Sequence, residues 1–247
     1  MTVALVDERI DSAARLALEV LGYHTLTMPK CLRLAEAVSS HPDMLTLLLG
    51  DTLLTEGEYL REARDIFHEI GKLVPRLKIE AIAETLSPEY PSDCLLNALP
   101  IGDTLFCRER SLSADAIELA RACGLNIINV NQGYPACTVL ALGARHAITA
   151  DRGMAKAMQG VGIEVLLIED GGIELPPHEY GFIGGAAGVH GDKVYFIGDL
   201  STHSCGGEIA EFCREAGFEV ISLGGRLRDL GRIIFIDSDG DNKDGEQ

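Results

Sequence analysis

Five short stretches of this chain carry side chains able to do chemistry. His41 and Asp43 stand in the first; Asp93, Cys94 and Asn97 in the second; Gln132, Tyr134 and Cys137 in the third; Tyr180 and Phe182 in the fourth; Arg228 and Asp229 in the fifth. The set holds a thiol that could act as a nucleophile, an imidazole that could move protons, and several carboxylates. Converging carboxylates would hold a cation such as a guanidinium through paired charge-assisted hydrogen bonds, and a thiolate beside a histidine could attack its carbon. On that reading Cys137, His41 and Asp93 are catalytic, while Asp43, Asn97, Gln132, Tyr134, Phe182 and Asp229 hold the substrate. No cofactor and no metal are required. Each residue also has a plain structural role open to it. A buried cysteine packs as a small apolar residue, and an aspartate at a strand opening commonly bonds its own turn.

These stretches recur because the chain repeats a unit: an opening, a strand, a turn, a second strand, a helix and an exit strand. Gly50-Asp51-Thr52-Leu53-Leu54 and Gly102-Asp103-Thr104-Leu105-Phe106 are near-identical turn-plus-strand segments, and Gly191-Asp192-Lys193-Val194-Tyr195 is a looser third copy. The openings match as well: His41-Pro42-Asp43, Tyr90-Pro91-Ser92-Asp93-Cys94, Tyr134-Pro135-Ala136-Cys137 and Tyr180-Gly181-Phe182-Ile183. Pro42 to Pro91, Tyr90 to Tyr134 and Tyr134 to Tyr180 span 49, 44 and 46 residues.

A fifth copy exists only if the two ends of the chain are joined. Residues 227–236 supply an opening and a strand with nothing helical after them; the N-terminus supplies a strand over 2–6, a helix from Asp11 to Gly22 and an exit strand from Tyr23 to Met28. Such pairing closes a ring and leaves neither strand as an exposed edge. In a ring of this kind the openings face one central mouth. Asp43, Asp93 and Asp229 would make that mouth acidic and suited to a small ligand.

The hydrophobic fraction of 47% over 247 residues supports one domain, over 1–236, and no linker-like stretch divides it. There is no run of eighteen apolar residues, and residues 1–6 carry no basic leader pattern, which together point to a cytoplasmic protein that does not enter membranes. Seven cysteines, odd in number and without a CxxC pair, read as free thiols in a reducing compartment. A net charge of −17 argues against nucleic acid or an anionic membrane as partner. Residues 237–247 form an acidic tail without apolar anchors, expected to be disordered. Its Asp237-x-Asp239-x-Asp241 spacing matches the start of a calcium loop, but Asn242 stands where that loop needs glycine. Ile183-Gly184-Gly185-Ala186-Ala187-Gly188 is not a dinucleotide-binding turn, because a strand follows where a helix is needed; its glycines read as close packing at a crowded centre. His203-x-Cys205 lacks two further ligands for zinc, and Cys205 reads as a loop cysteine before a helix over 208–216.

The ring of five units closed by both termini resembles the pentein, or β/α-propeller, superfamily, which includes arginine deiminases, dimethylarginine hydrolases and amidinotransferases. Up to residue 236 the chain is similar to an uncharacterised bacterial family of that fold, through His41-Pro42-Asp43, Tyr90-Pro91-x-Asp93 with Asn97, Gln132-Gly133-Tyr134-x-x-Cys137, Tyr180 to Gly185, Gly198-Asp199 with His203, and Leu227-x-Asp229-Leu230-Gly231. The resemblance implies an α/β fold of five pseudo-symmetric units around a central channel. It also exposes a departure. The enzymes of that superfamily carry their nucleophilic cysteine on the inner strand of the last unit, whereas residues 229–234 here contain none. Two functions therefore stand side by side: a cysteine-dependent hydrolase or transferase of a small guanidine, amidine or amide, and a non-catalytic ligand-binding or interaction protein on the same scaffold. The sequence assigns no oligomeric state.

Overall fold

In the computed structural model, which describes residues 1–238, the chain forms five three-stranded sheets. The ring-closing unit comes first in the chain: β1 (Thr2–Asp7), α1 (Ser12–Val20) and β2 (Tyr23–Met28). The next unit holds α2 (Pro42–Leu45), β3 (Thr46–Leu49), β4 (Thr52–Glu56), α3 (Gly57–Glu62), α4 (Arg64–Leu73) and β5 (Lys78–Ile82). Then come β6 (Leu99–Ile101), β7 (Thr104–Cys107), α5 (Ala114–Ala122) and β8 (Asn126–Asn129). The following unit runs through α6 (Pro135–Thr138), β9 (Val139–Leu142), β10 (His146–Thr149), α7 (Arg152–Gln159) and β11 (Glu164–Leu167). After it stand β12 (Ala187–His190), β13 (Lys193–Phe196), α8 (Gly206–Glu215) and β14 (Glu219–Ser222); β15 (Ile234–Asp237) ends the described chain.

Every sheet has one plan. The inner strand runs antiparallel to the middle strand and the exit strand runs parallel to it, in β3-β4-β5, β6-β7-β8, β9-β10-β11, β12-β13-β14 and β15-β1-β2. A tight hairpin suffices for the first connection, but a parallel partner needs a crossover, and the helices supply it. The near-identical glycines make the hairpins. Gly50, Gly102 and Gly191 have φ of 58°, 57° and 58°, the positive value required at the first residue of a two-residue hairpin turn, where the following aspartate stays at negative φ. The carbonyls of Asp51, Asp103 and Asp192 each accept a hydrogen bond from the first amide of the exit strand, at 2.8 Å in all three. The recurring Gly-Asp pair is thus the corner that joins all three strands of a sheet.

The hydrophobic core lies between neighbouring units. Leu47, Leu49 and Leu54 of one unit pack on Leu105, Ala116 and Ala120 of the next. Phe106 meets Ala147 and Met154; Ile148 meets Phe196 and Ile209; Tyr195 meets Ala4 and Leu18; Val3 and Leu5 meet Leu53, Phe67 and Ile70. Each helix therefore buries its apolar stripe at a junction, and no unit can bury its own surface alone.

Ring closure follows the sequence reading with one difference. β15 pairs antiparallel with β1 from Thr2↔Asp237 to Leu5↔Ile234, so only the end of the 227–236 stretch is strand. Residues 227–233 remain an irregular opening, with Gly231 at φ 66° and Arg232 at φ 76°. Two other openings, expected as plain strand entries, coil into the single turns α2 and α6. Pro42 and Pro135 stand at their first positions, where a missing N–H costs nothing. The acidic tail and the calcium-like spacing fall mostly beyond the described residues. Asp237 itself is in β15, held by the Thr2 hydroxyl and close to His190 Nε2.

Candidate site at the closed end of the central channel

The five inner strands enclose a cavity of about 930 Å³, open at the hairpin end. Five pseudo-equivalent positions face it: Leu48, Pro100, Ala141, Val189 and Ile234, each opposite a buried residue of its middle strand. The channel wall is apolar, which corrects the expectation of an acidic mouth. Its charged lining is of both signs, with Asp192, Arg145 and His146 near the hairpins and Asp43 and Arg232 at the far end.

The strand openings do not form a mouth. They fold over the far end as a buried polar plug, in which His41 is 1% exposed, Asn97 1%, Asp229 2%, Asp43 3% and Cys137 5%. Asp43 and Cys137 are brought together from α2 and α6. Asn97 holds both turns: its Nδ2 donates to the Asp43 carbonyl and to Cys137 Sγ, each at 3.1 Å, and its Oδ1 accepts from the Ala136 amide at 2.9 Å. The Asp43 amide donates to the Gly231 carbonyl, tying α2 to the last opening.

Asp43 has no hydrogen-bond partner on either carboxylate oxygen. Burial pushes its carboxyl up to about 6, while the adjacent Cys137 thiol and the Arg232 charge pull it down without reversing the shift. Burial, Asp43 and Asp229 push the Cys137 thiol well above its ordinary range, against the opposing effect of Asn97. The resting site therefore holds a thiol, not a thiolate.

His41 turns the other way. It precedes α2 as the N-cap, in extended backbone, whereas Asp43 lies within the turn, and the two side chains reach different neighbours. His41 lies between two carboxylates, with Nε2 3.8 Å from Asp7 and Nδ1 3.9 Å from Asp229, and neither nitrogen has a hydrogen-bond partner. Burial lowers its pKa against the pull of Asp229 and Asp7. The hydrogen bond a nucleophile–base pair uses does not exist between Cys137 and His41. Asp7 is clasped by Arg9 through Nε at 2.9 Å and Nη2 at 2.6 Å. Asp229 accepts from the Phe182 amide at 2.9 Å and the Gly231 amide at 3.1 Å, and its carboxyl is raised, chiefly by burial.

The remaining candidates lie outside the plug's centre. Asp93 accepts from the Tyr134 hydroxyl at 2.6 Å, and Tyr134 and Phe182 pack at the edge of the core that contains Cys137. Gln132 donates to Asp151, the N-cap of α7, at 2.7 Å and accepts from the Tyr134 amide. Cys94 is core, its thiol pushed up to about 12 by burial first and Asp93 second. Cys205 precedes α8, 9% exposed, and all seven cysteines are free.

The glycine-rich stretch does pack at a crowded centre. A Cβ on Gly185 would lie 2.0 Å from Asp229 Oδ1, and one on Gly184 2.3 Å from the Val139 carbonyl. Sequence reading missed Asp7, Arg9 and Arg232. Asp7 ends a strand that reads as ordinary, and only ring closure brings it to His41.

Five strand–strand–helix–strand units, closed by both ends of the chain around a channel, define a β/α-propeller of the pentein class. The chain belongs to the family of unknown function DUF6873, whose model matches residues 5–234. Its backbone is similar to that of a dimethylarginine dimethylaminohydrolase solved as an adduct with 4-chloro-2-hydroxymethylpyridine, with TM-score 0.57, 14% identity and 90% of this chain over 91% of that one. It is also similar to SxtG, an amidinotransferase of the saxitoxin biosynthetic pathway from Microseira wollei, with TM-score 0.54, 10% identity and 97% over 94%. Inosamine-phosphate amidinotransferase from Streptomyces griseus gives TM-score 0.52, 14% identity and 88% over 74%. No curated protein matches the sequence. Among the described residues no helix is long and apolar enough to cross a membrane.

Proposed function

We propose that this protein binds a small organic cation of the guanidinium or amidinium type in its central channel, with Asp43 as the counter-charge. One observation carries the reading: the Asp43 carboxylate is 3% exposed, faces the channel end, and has no hydrogen-bond partner on either oxygen. A buried carboxylate without hydrogen bonds costs several kcal/mol; the Arg232 charge offsets that only in part, and a planar two-donor cation is the group that best completes it. The apolar walls fit an aliphatic or aromatic body behind the cationic head. The shared fold with a dimethylarginine hydrolase and two amidinotransferases agrees with that ligand class, although fold alone assigns no function.

A second reading adds chemistry at the same place, favoured by the contact between Cys137, Asp43 and Asn97. A bound cation would draw down the pKa of the thiol. Cys137 would pass its proton to the Asp43 carboxylate, and the thiolate would attack the amidino carbon. An amine would then leave with the proton returned by the carboxyl, and water or a second amine, losing its proton to Asp43, would displace the thiolate from the amidino carbon. Asp229 would supply the surrounding charge, and no cofactor is needed. Under either reading the partner is a small molecule in the cytoplasm, and neither nucleic acid nor membrane is involved.

Calorimetry with guanidinium, agmatine, arginine and a set of anionic metabolites tests the first reading. Saturable binding of a cation, abolished in Asp43→Asn, is expected; binding of anions alone would overturn it. Release of an amine or ammonia that stops in Cys137→Ser would establish the second.

A further inference from the structure

A second, smaller cavity of about 220 Å³ opens between the third and fourth openings, away from the channel. His203 lines it and is 5% exposed. The Gly172 backbone packs against the ring, so closely that a Cβ there would lie 2.9 Å from its Cδ2. The tautomer of the ring is fixed. Nδ1 accepts the Cys205 amide at 3.0 Å, so in the neutral imidazole the proton sits on Nε2. That Nε2–H is buried and has no hydrogen-bond partner; the Gly171 backbone approaches the ring without reaching bonding geometry. Burial lowers the His203 pKa, which keeps the ring neutral. A ring whose free nitrogen carries a proton cannot ligate a metal, so the missing partner is an acceptor oxygen.

The rest of the cavity selects the other end of such a ligand. Tyr180 and Phe182 line it with their rings edge to face at 6.5 Å. Asp151, Glu169 and Asp170 also line it. Asp151 is engaged by Gln132 and the first amides of α7, but Glu169 and Asp170 form no ion pair among the described residues. Carboxylates beside aromatic faces favour a cation over a neutral group of the same shape.

We propose that this cavity is a ligand site separate from the channel, which takes a small organic ammonium or guanidinium cation bearing a hydroxyl or carbonyl oxygen. The oxygen accepts from His203 Nε2–H, and the cationic end lies against Tyr180, Phe182 and the Glu169-Asp170 pair. The site depends on neither Asp43 nor Cys137.

The test is a titration of the full chain with choline, ethanolamine and L-argininamide, followed by the His203 imidazole nitrogen and proton resonances. The controls are 3,3-dimethylbutanol, the uncharged isostere of choline, and tetramethylammonium, which lacks the oxygen. A saturable His203 shift with at least one of the three probes is expected. The Glu169→Gln/Asp170→Asn double variant, which changes only exposed side chains, should weaken it about tenfold. Asp43→Asn should leave it unchanged, so that loss of channel binding and loss of this site are told apart. His203→Phe should abolish binding; if that variant does not fold, the wild-type resonances and the double variant carry the decision. No saturable shift with any probe, equal shifts with 3,3-dimethylbutanol, or a double variant that binds as wild type would overturn the proposal.

Discussion

Asn97 Nδ2 stands 3.1 Å from Cys137 Sγ, so the thiol of one unit is held by an amide from the unit before it. The same amide reaches the Asp43 carbonyl. Three openings of the ring thus meet at one side chain, and the thiol they enclose is surrounded by carboxylates and no adjacent imidazole bond. That balance governs its reactivity.

Cys137 should react slowly with iodoacetamide in the folded protein at neutral pH, far behind the exposed Cys123, because its pKa is raised by burial, Asp43 and Asp229. Asp43→Asn removes one of those causes and should speed the labelling of Cys137. Peptide mapping by mass spectrometry reads both. Slower labelling in Asp43→Asn would mean that the carboxylate activates the thiol.

Asp43 should make the protein less stable as pH rises. Its folded value of about 6 lies above the ordinary 3.8, so the native state binds the proton more tightly. The favourable contribution is complete below 3.8 and is lost as pH rises through about 6. A shift of that size corresponds to at most about 3 kcal/mol. Asp229, also raised, acts in the same direction, whereas the lowered His41 acts oppositely, costing stability as pH falls below its ordinary 6.5. Comparison with Asp43→Asn isolates one group. The variant should gain on wild type between pH 4 and 7, measured as urea midpoints; a constant difference across that range would show that Asp43 does not titrate there.

Gly231→Ala should destabilise the plug by about 1–3 kcal/mol or more. Gly231 has φ 66°, and an added Cβ would come within 2.2 Å of His41 Cβ. Chemical denaturation measures the loss, and His41 resonances should move in any fraction that folds. An alanine variant as stable as wild type would show that the backbone at Gly231 does not press on His41.

Truncation after Ile233 should abolish cooperative folding. It removes β15, leaves the edge of β1 unpaired, and takes Ile236 from the core that holds Val3 and Leu5. Circular dichroism and size-exclusion chromatography of the shortened chain check this. A monomeric, cooperatively folding product would show that ring closure is dispensable.

The architecture was legible because it is written locally and repeatedly. The Gly-Asp turns need positive φ at glycine wherever they occur, so Gly50, Gly102 and Gly191 mark hairpins without reference to the rest of the chain. The exit strand Tyr23–Met28 reads from its own pattern, and the incomplete units at the two termini imply each other. Which residues would share a site was legible only in part. Spacing placed Asp43, Asn97, Cys137 and Asp229 at equivalent openings, and ring geometry does bring them together. What spacing cannot express is the direction of a side chain and the depth at which it ends. The extended N-cap sends His41 to Asp7 while the turn of α2 sends Asp43 to Cys137, irregular backbone at 227–233 brings Gly231 against His41, and close packing at Gly184 and Gly185 seals the openings into a plug. Those outcomes depend on contacts between units far apart in sequence, where burial decides which groups stay charged, and a one-dimensional pattern carries no measure of burial at a junction that exists only once the ring has closed.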